Sequence, residues 1–192
     1  MSELTDSAVE THPGIEARVI LAAQAGDEDA WELLYRHVYP RLRTYLVRRV
    51  GPELVEDAVS DTMSRAIRGI GRFEPKKASF DAWVFGIAGH VAVDIHRHQV
   101  RVERHRRSIE THEREDERQP EEVTILAEEH ELVRSAFDRL SQNERDILEL
   151  RIVAQLSAEE TAAALGKKPG AVRTAQSRAL AHLRQLLEEH GA

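Results

Sequence analysis

Apolar residues recur at helical spacing in one segment of this chain after another, and the clearest case is the last third, Ser141 to Leu187. Ser141 with Glu144, and Ser157 with Glu160, are S-x-x-E capping boxes that open two successive helices by satisfying orphan N–H groups. The second is short, running through Thr161, Ala162, Ala163 and Ala164 to Leu165-Gly166, where glycine can take the left-handed conformation that ends a helix. Pro169 suits the first turn of a third helix, which carries Ala171, Val172, Ala175, Ala179, Leu180, Leu183, Leu186 and Leu187 on an inward stripe. Its other face offers Lys168, Arg173, Thr174, Gln176, Ser177 and Arg178, groups that donate to base edges and phosphates in a major groove. The order of short alanine-rich helix, Gly turn and basic helix start predicts a DNA-binding helix-turn-helix.

The N-terminal half is helical by the same criterion. Ile15 to Ala25 forms an amphipathic helix ending at Gly26, and Asp27 caps a second that contains Trp31, Leu33, Leu34, Tyr35 and Val38. Pro40 is expected to kink or interrupt it, after which Leu42, Tyr45, Leu46 and Val50 continue the stripe. Beyond Gly51-Pro52 a helix from about Glu53 to Ile70 turns Leu54, Ala58, Met63, Ala66 and Ile67 to a core. Its polar edge, Glu56, Asp57, Ser60, Asp61 and Thr62, is expected outside. The loop Gly69 to Ser79 sets Phe73 among Arg72, Lys76 and Lys77, and Ser79 caps a long helix from Phe80 to about Val100, whose end is crowded with Arg and His. Cations there suit the helix C-terminus, and basic groups beside exposed aromatics suit single-stranded nucleic acid.

Composition narrows the classes. Among 192 residues there is no cysteine, which removes disulfides, thiolate catalysis and Cys-type zinc sites and fits a cytoplasmic protein. No run approaches the roughly 18 apolar residues of a spanning helix, and Met1 to Gly14 is polar and acidic, unlike a signal peptide. The net charge of −7 counts against nucleic acid until its distribution is read. Between Glu110 and Glu131 lie Glu113, Glu115, Asp116, Glu117, Glu121, Glu122, Glu128 and Glu129 against only Arg114 and Arg118, with Pro120 inside. That block reads as a linker, and basic clusters remain at Arg41 to Arg49, Arg65 to Lys77 and Arg97 to Arg107. The expected fold is therefore all-α: two small helical domains, 15–107 and 131–190, joined by an acidic flexible linker, 108–130, with the helix-turn-helix in the second.

In this order LYRHVYPRLRTYLVRRVG, VEDAVSDTMSRAIRGIGRF, FDAWVFGIAGHVAVDIHRH and, after the acidic gap, LSQNERDILELRIVAQLSAEETAAALGKKPGAVRTAQSRALAHLRQLL resemble an extracytoplasmic-function sigma factor of bacterial RNA polymerase. The resemblance implies a first domain that binds the polymerase β′ clamp and the melted −10 element. It implies a second that binds the β flap and the −35 element through Lys168, Ala171, Arg173, Thr174, Gln176, Ser177 and Arg178. By position, Glu56, Asp57, Ser60, Asp61, Thr62 and Arg65 match the clamp-binding helix, with Ser60-Asp61 where Gln-Glu is commoner. The stretch Arg72, Phe73, Lys76, Lys77 and Ser79 matches a loop that captures a flipped base, and Phe80, Trp83, Asp94, Arg97 and Arg101 match the helix lining the melted strand. For Trp83 a core role is equally compatible with its apolar neighbours. In this family an anti-sigma factor commonly covers the polymerase-binding faces, and the acidic linker threads channels that otherwise hold nucleic acid. No catalytic residue, cofactor, metal or membrane insertion is implied.

Two other classes fit less of the chain. A helix-turn-helix regulator with an N-terminal helical sensor explains Ser141 to Leu187 and gives no reason for the basic-aromatic loop. A metal enzyme would rest on His90, Asp94 and His98, spaced i, i+4 and i+8, with no catalytic motif nearby. Gly166-Lys167-Lys168 lacks the upstream Gly and following Ser/Thr of a P-loop.

Overall fold

The computed structural model describes residues 15, 17–109 and 125–190. Most of the acidic block, 110–124, lies outside them. Every regular element among the described residues is helical. After α1 (Ala17–Gln24), Asp27 caps α2 (Glu28–Val50), its carboxylate accepting from the Ala30 N–H at 2.9 Å. Helix α2 runs unbroken through Pro40, where the sequence suggested a kink or interruption. The hydrogen bond lost there is offset by one continuous buried face, Leu34, Val38, Leu42, Tyr45 and Leu46.

Helix α3 (Val55–Gly69) leads through a 3₁₀ turn (Ile70–Arg72) and the loop to α4 (Phe80–Ile109). The Ser79 hydroxyl caps α4 by accepting from the Ala82 N–H at 3.1 Å. This helix passes its expected end at Val100, because the Arg-, His- and Glu-rich continuation contains neither Gly nor Pro. In α3 the buried face is rotated from the expected one: Ile67 is 54% exposed, while Thr62 is buried and donates its hydroxyl to the Ala58 carbonyl at 2.7 Å.

The C-terminal domain consists of α5 (Ile125–Asp138), α6 (Gln142–Leu148), α7 (Ala158–Leu165) and α8 (Pro169–His190). Both capping boxes are complete; around Ser157, the hydroxyl accepts from Glu160 N–H at 3.1 Å and the Glu160 carboxylate accepts from Ser157 N–H at 2.7 Å. Ser157→Ala is expected to lower stability by about 1 kcal/mol, read as a shifted urea midpoint with unchanged slope. Gly166 ends α7 at φ +63°, as the sequence required.

Between α6 and α7 the chain does something periodicity does not announce. Glu149–Val153 is a π turn, closed by Ala154 N–H to the Glu149 carbonyl at 2.8 Å, and Gln155 follows at φ +56°. The turn directs Leu150 into the N-terminal domain. Leu150, Ala154 and Leu156 share one core with Leu42, Tyr45, Phe85 and Ala88, and Ala164 and Leu165 pack against it. The two domains thus meet across a common apolar interior.

Candidate nucleic-acid interface

The helix-turn-helix places α7 against α8 through a small core of Ile147, Ala158, Ala162 and Val172. With Val172 and Ala179 inward, α8 presents Arg173, Thr174, Ser177 and Arg178 to solvent, and Lys168 is exposed just before it. Ala171 and Leu180, expected on the inward stripe, are exposed as well, since they sit off the line through Val172, Ala179 and Leu186. Arg173 is held by Glu159 of α7 at 2.8 Å, and this bond keeps the Glu159 carboxyl below the usual glutamate range. Thr174 donates its hydroxyl to the Gly170 carbonyl at 3.0 Å.

Gln176 stands apart from that face. Half-buried, its side-chain oxygen accepts from Arg151 Nε at 2.8 Å, while Arg151 Nη1 donates to the Leu156 carbonyl. Arginine has no acceptor, so the atom facing it is the amide oxygen. The residue ties α8 to the π turn. Arg151 carried no signal in the sequence, because its side-chain partner, Gln176, lies 25 residues away on α8.

In the N-terminal domain the polar edge of α3 is mostly outward: Glu56, Asp57 and Ser60 are exposed, with Asp61 and Arg65 half-buried. Thr62 does not belong to this surface, being fully buried. Arg65 reaches Asp61 at 2.8 Å and Asp94 of α4 at 3.0 Å, and these hydrogen bonds raise its pKa above the ordinary arginine value. Asp94 is therefore tied to α3 rather than standing alone on α4. Arg43 pairs with Glu56 at 2.9 Å on the same exposed side.

The basic loop keeps its charges outside and its ring inside. Arg72, Lys76 and Lys77 are exposed, Lys77 pairing with Glu74 at 2.7 Å, whereas Phe73 is 7% exposed and stacks on Trp83 with centroids 4.8 Å apart. Phe80 is buried too, edge-on to Phe73. An exposed ring among cations was the expectation; three aromatics packing together bury far more apolar surface than one left in the loop. Trp83, half-buried, lines a cleft of about 420 Å³ with Arg72, Phe73 and His90. Beyond it on α4, Arg97 and Arg101 are exposed.

His90 donates from Nδ1 to the Gly86 carbonyl at 2.8 Å, and with Asp94 held by Arg65 the i, i+4, i+8 set does not converge. Among the described residues no group of three His, Cys, Asp or Glu could hold a metal ion, and no helix is long and apolar enough to cross a membrane.

Sequence reasoning missed a buried polar cluster beside the shared core. Asp81, 4% exposed, binds Arg41 and lies 2.9 Å from His37 Nε2; Arg41 Nη1 also donates to the Ala154 carbonyl at 3.2 Å. Burial works to raise the Asp81 carboxyl, but the His37 hydrogen bond and the Arg41 charge outweigh it and hold the pKa below the ordinary aspartate value. Two turns along α2, Arg49 bonds Asp146 at 2.5 Å and Glu149 at 2.7 Å and lies over the Tyr45 ring. Burial pushes the Glu149 carboxyl up despite Arg49.

Among the described residues these features define an all-helical, two-module protein with a helix-turn-helix and a second basic surface on the N-terminal bundle. Residues 34–102 match the family described as Sigma-70 region 2, and residues 130–183 match Sigma-70, region 4. The "ECF RNA polymerase sigma factor ShbA" of Streptomyces griseus subsp. griseus is 35% identical over 176 residues, covering 87% of this chain and 92% of its own. The chain belongs to the extracytoplasmic-function sigma factors, alternative subunits that direct RNA polymerase to promoters. Two solved structures share the fold: CnrH, in complex with the cytosolic domain of CnrY (TM-score 0.65, 24% identity, 90% of this chain and 96% of that one), and the Bartonella quintana sigma factor RpoE, in complex with the anti-sigma factor NepR (0.61, 22%, 82% and 96%).

Proposed function

We propose that this sigma factor binds core polymerase through the outward edge of α3, chiefly Glu56, Asp57, Ser60 and Asp61, and reads the −35 element with Lys168, Arg173, Thr174, Ser177 and Arg178. The loop Arg72 to Ser79 with Trp83, Arg97 and Arg101 handles the melted −10 strand, Phe73 and Phe80 serving as its packed base. Gln176 and Ala171 act at the edge of the −35 contact, Gln176 by fixing α8. What carries this reading is the exposed cationic face of α8 on a fully capped helix-turn-helix. The domains act as the units 15–107 and 131–190. The protein works in the cytoplasm, without catalysis of its own, and an anti-sigma factor restrains it, a partner class seen on RpoE of Bartonella quintana.

A net charge of −7 makes tight DNA binding by the free chain unfavourable, and the polymerase supplies the remaining contacts. Transcription in vitro with core polymerase and a promoter library is expected to show promoter-selective initiation. DNA binding of the complex should be salt-sensitive, and the free chain should bind the same promoters poorly. Tight sequence-specific binding by the isolated chain would count against this assignment.

A further inference from the structure

Helix α1 ends on a polar residue at an inward position. Gln24 stands one turn beyond Ile20, which is 3% exposed, so the two share the face that α1 turns to the N-terminal core. A half-buried amide there has to find partners, and Gln24 finds two. Its Nε2 donates to the Ile70 carbonyl and to the Phe73 carbonyl, each at 2.8 Å. Both N–H groups of the amide are thereby used.

The two acceptors bracket the 3₁₀ turn that opens the basic loop. The loop's own bonds are local: Phe73 N–H donates to the Ile70 carbonyl at 3.0 Å, and Lys77 N–H to the Glu74 carbonyl at 2.9 Å. The Gln24 bonds come instead from 46 and 49 positions away and fix the peptide groups on either side of Gly71-Arg72. Gly71 has no side chain to hold the turn, and a Cβ there would meet nothing within 4 Å, so the grip acts on the backbone. Arg72 and Phe73 line the cleft they share with Trp83 and His90, and Gln24 lies outside that lining. It draws both carbonyl dipoles toward α1 and leaves the rim of the cleft to the exposed Arg72 cation. Phe73 is also the ring stacked on Trp83, so a shift of its backbone moves the wall of the cleft.

We propose that Gln24 is a positioning residue for −10 recognition: its amide sets the backbone from Ile70 to Phe73, and with it the Arg72 cation and the Phe73–Trp83 stack that the melted strand meets. The inference rests on the reading of this loop as the −10 contact. Without the two donors the Phe73 carbonyl loses its partner on α1 and can turn toward the strand, where its dipole opposes the phosphates. A residue that touches no nucleotide thus governs how well the loop tells one −10 sequence from another.

The test uses the full chain assembled with core polymerase, on a promoter taken from the library and on single-base variants of its −10 and −35 elements. Gln24→Met, of similar length and without donors, is expected to reduce discrimination among −10 variants about tenfold while leaving that among −35 variants as in the wild type. Gln24→Glu keeps the shape, lacks both donors when ionised and should behave alike. Gln24→Lys keeps N–H donors at nearly the same reach and should recover most of the discrimination. The chain has two tryptophans, so in a Trp31→Phe background acrylamide quenching reports Trp83 alone, and Gln24→Met should raise it severalfold in the free protein. The proposal fails if Gln24→Met and Gln24→Glu discriminate −10 variants as the wild type does, if −35 discrimination falls as far, or if Gln24→Lys recovers nothing. A wild-type protein indifferent to the −10 sequence would instead refute the −10 reading of the loop, and the quenching would still decide whether Gln24 holds it.

Discussion

Asp81→Asn is expected to destabilise the protein by about 3–5 kcal/mol, because it leaves the Arg41 guanidinium buried without its counter-charge. The shape of the side chain is kept, so cavity formation contributes little. The Arg41 charge, only 8% exposed, retains the Ala154 carbonyl and the Phe85 face as partners, and neither is an anion. Adding Arg41→Met is expected to return part of the loss, since removing both charges costs less than orphaning one. The pH dependence has a definite sign. The folded-state pKa of Asp81 is depressed, so its stabilisation is complete above the unfolded value near 4 and is lost as pH falls through the folded one. The gap between wild type and Asp81→Asn should therefore be widest near neutrality and narrow below about pH 4. Urea denaturation across that range measures both; equal stabilities at pH 7 would show the cluster to be without energetic consequence.

The second large effect falls on the −35 contact. Arg173→Ala/Arg178→Ala is expected to reduce −35-dependent initiation about a hundredfold, at roughly 1–3 kcal/mol for each base or phosphate contact removed. The salt slope of promoter binding should become shallower by about 2 if both arginines meet phosphates. Folding stability should change little. Both side chains are exposed, and the Arg173–Glu159 pair, 59% and 64% exposed, belongs to a class that contributes little in water. An unchanged dependence on the −35 sequence would remove these residues from the interface.

Local signals were legible in the sequence and long-range ones were not. The capping boxes at Ser141 and Ser157, the Gly166 stop and the Ser79 cap all depend on residues three or four apart, so spacing alone reveals them. The exposed face of α8 followed from the same periodicity, apart from Ala171 and Leu180, which were expected inward, and Gln176, whose partner Arg151 comes from the π turn. The Arg41–Asp81 pair spans 40 positions and the Arg41–Ala154 bond 113, and nothing in the residues near either end marks them as partners. Asp81 in particular reads as an ordinary acidic residue in a first helical turn. Phe73 was misplaced for a related reason: a ring between charges looks exposed until Phe80 and Trp83, seven and ten residues onward in chain numbering, are brought against it.

The π turn at Glu149–Val153 also acts as a gear between two axes. Residues in an α-helix advance by about 100° each, so one extra residue in a turn rotates everything that follows relative to everything before. Glu149 and Leu150 engage α2 and its neighbours, while Arg151, next along the same turn, engages Gln176 of the recognition helix. The angular phase between the hold on the other domain and the bearing of α8 is therefore set within five residues. An insertion or deletion of one residue in this turn would move Leu150 out of the shared core and Arg151 away from Gln176 in a single step.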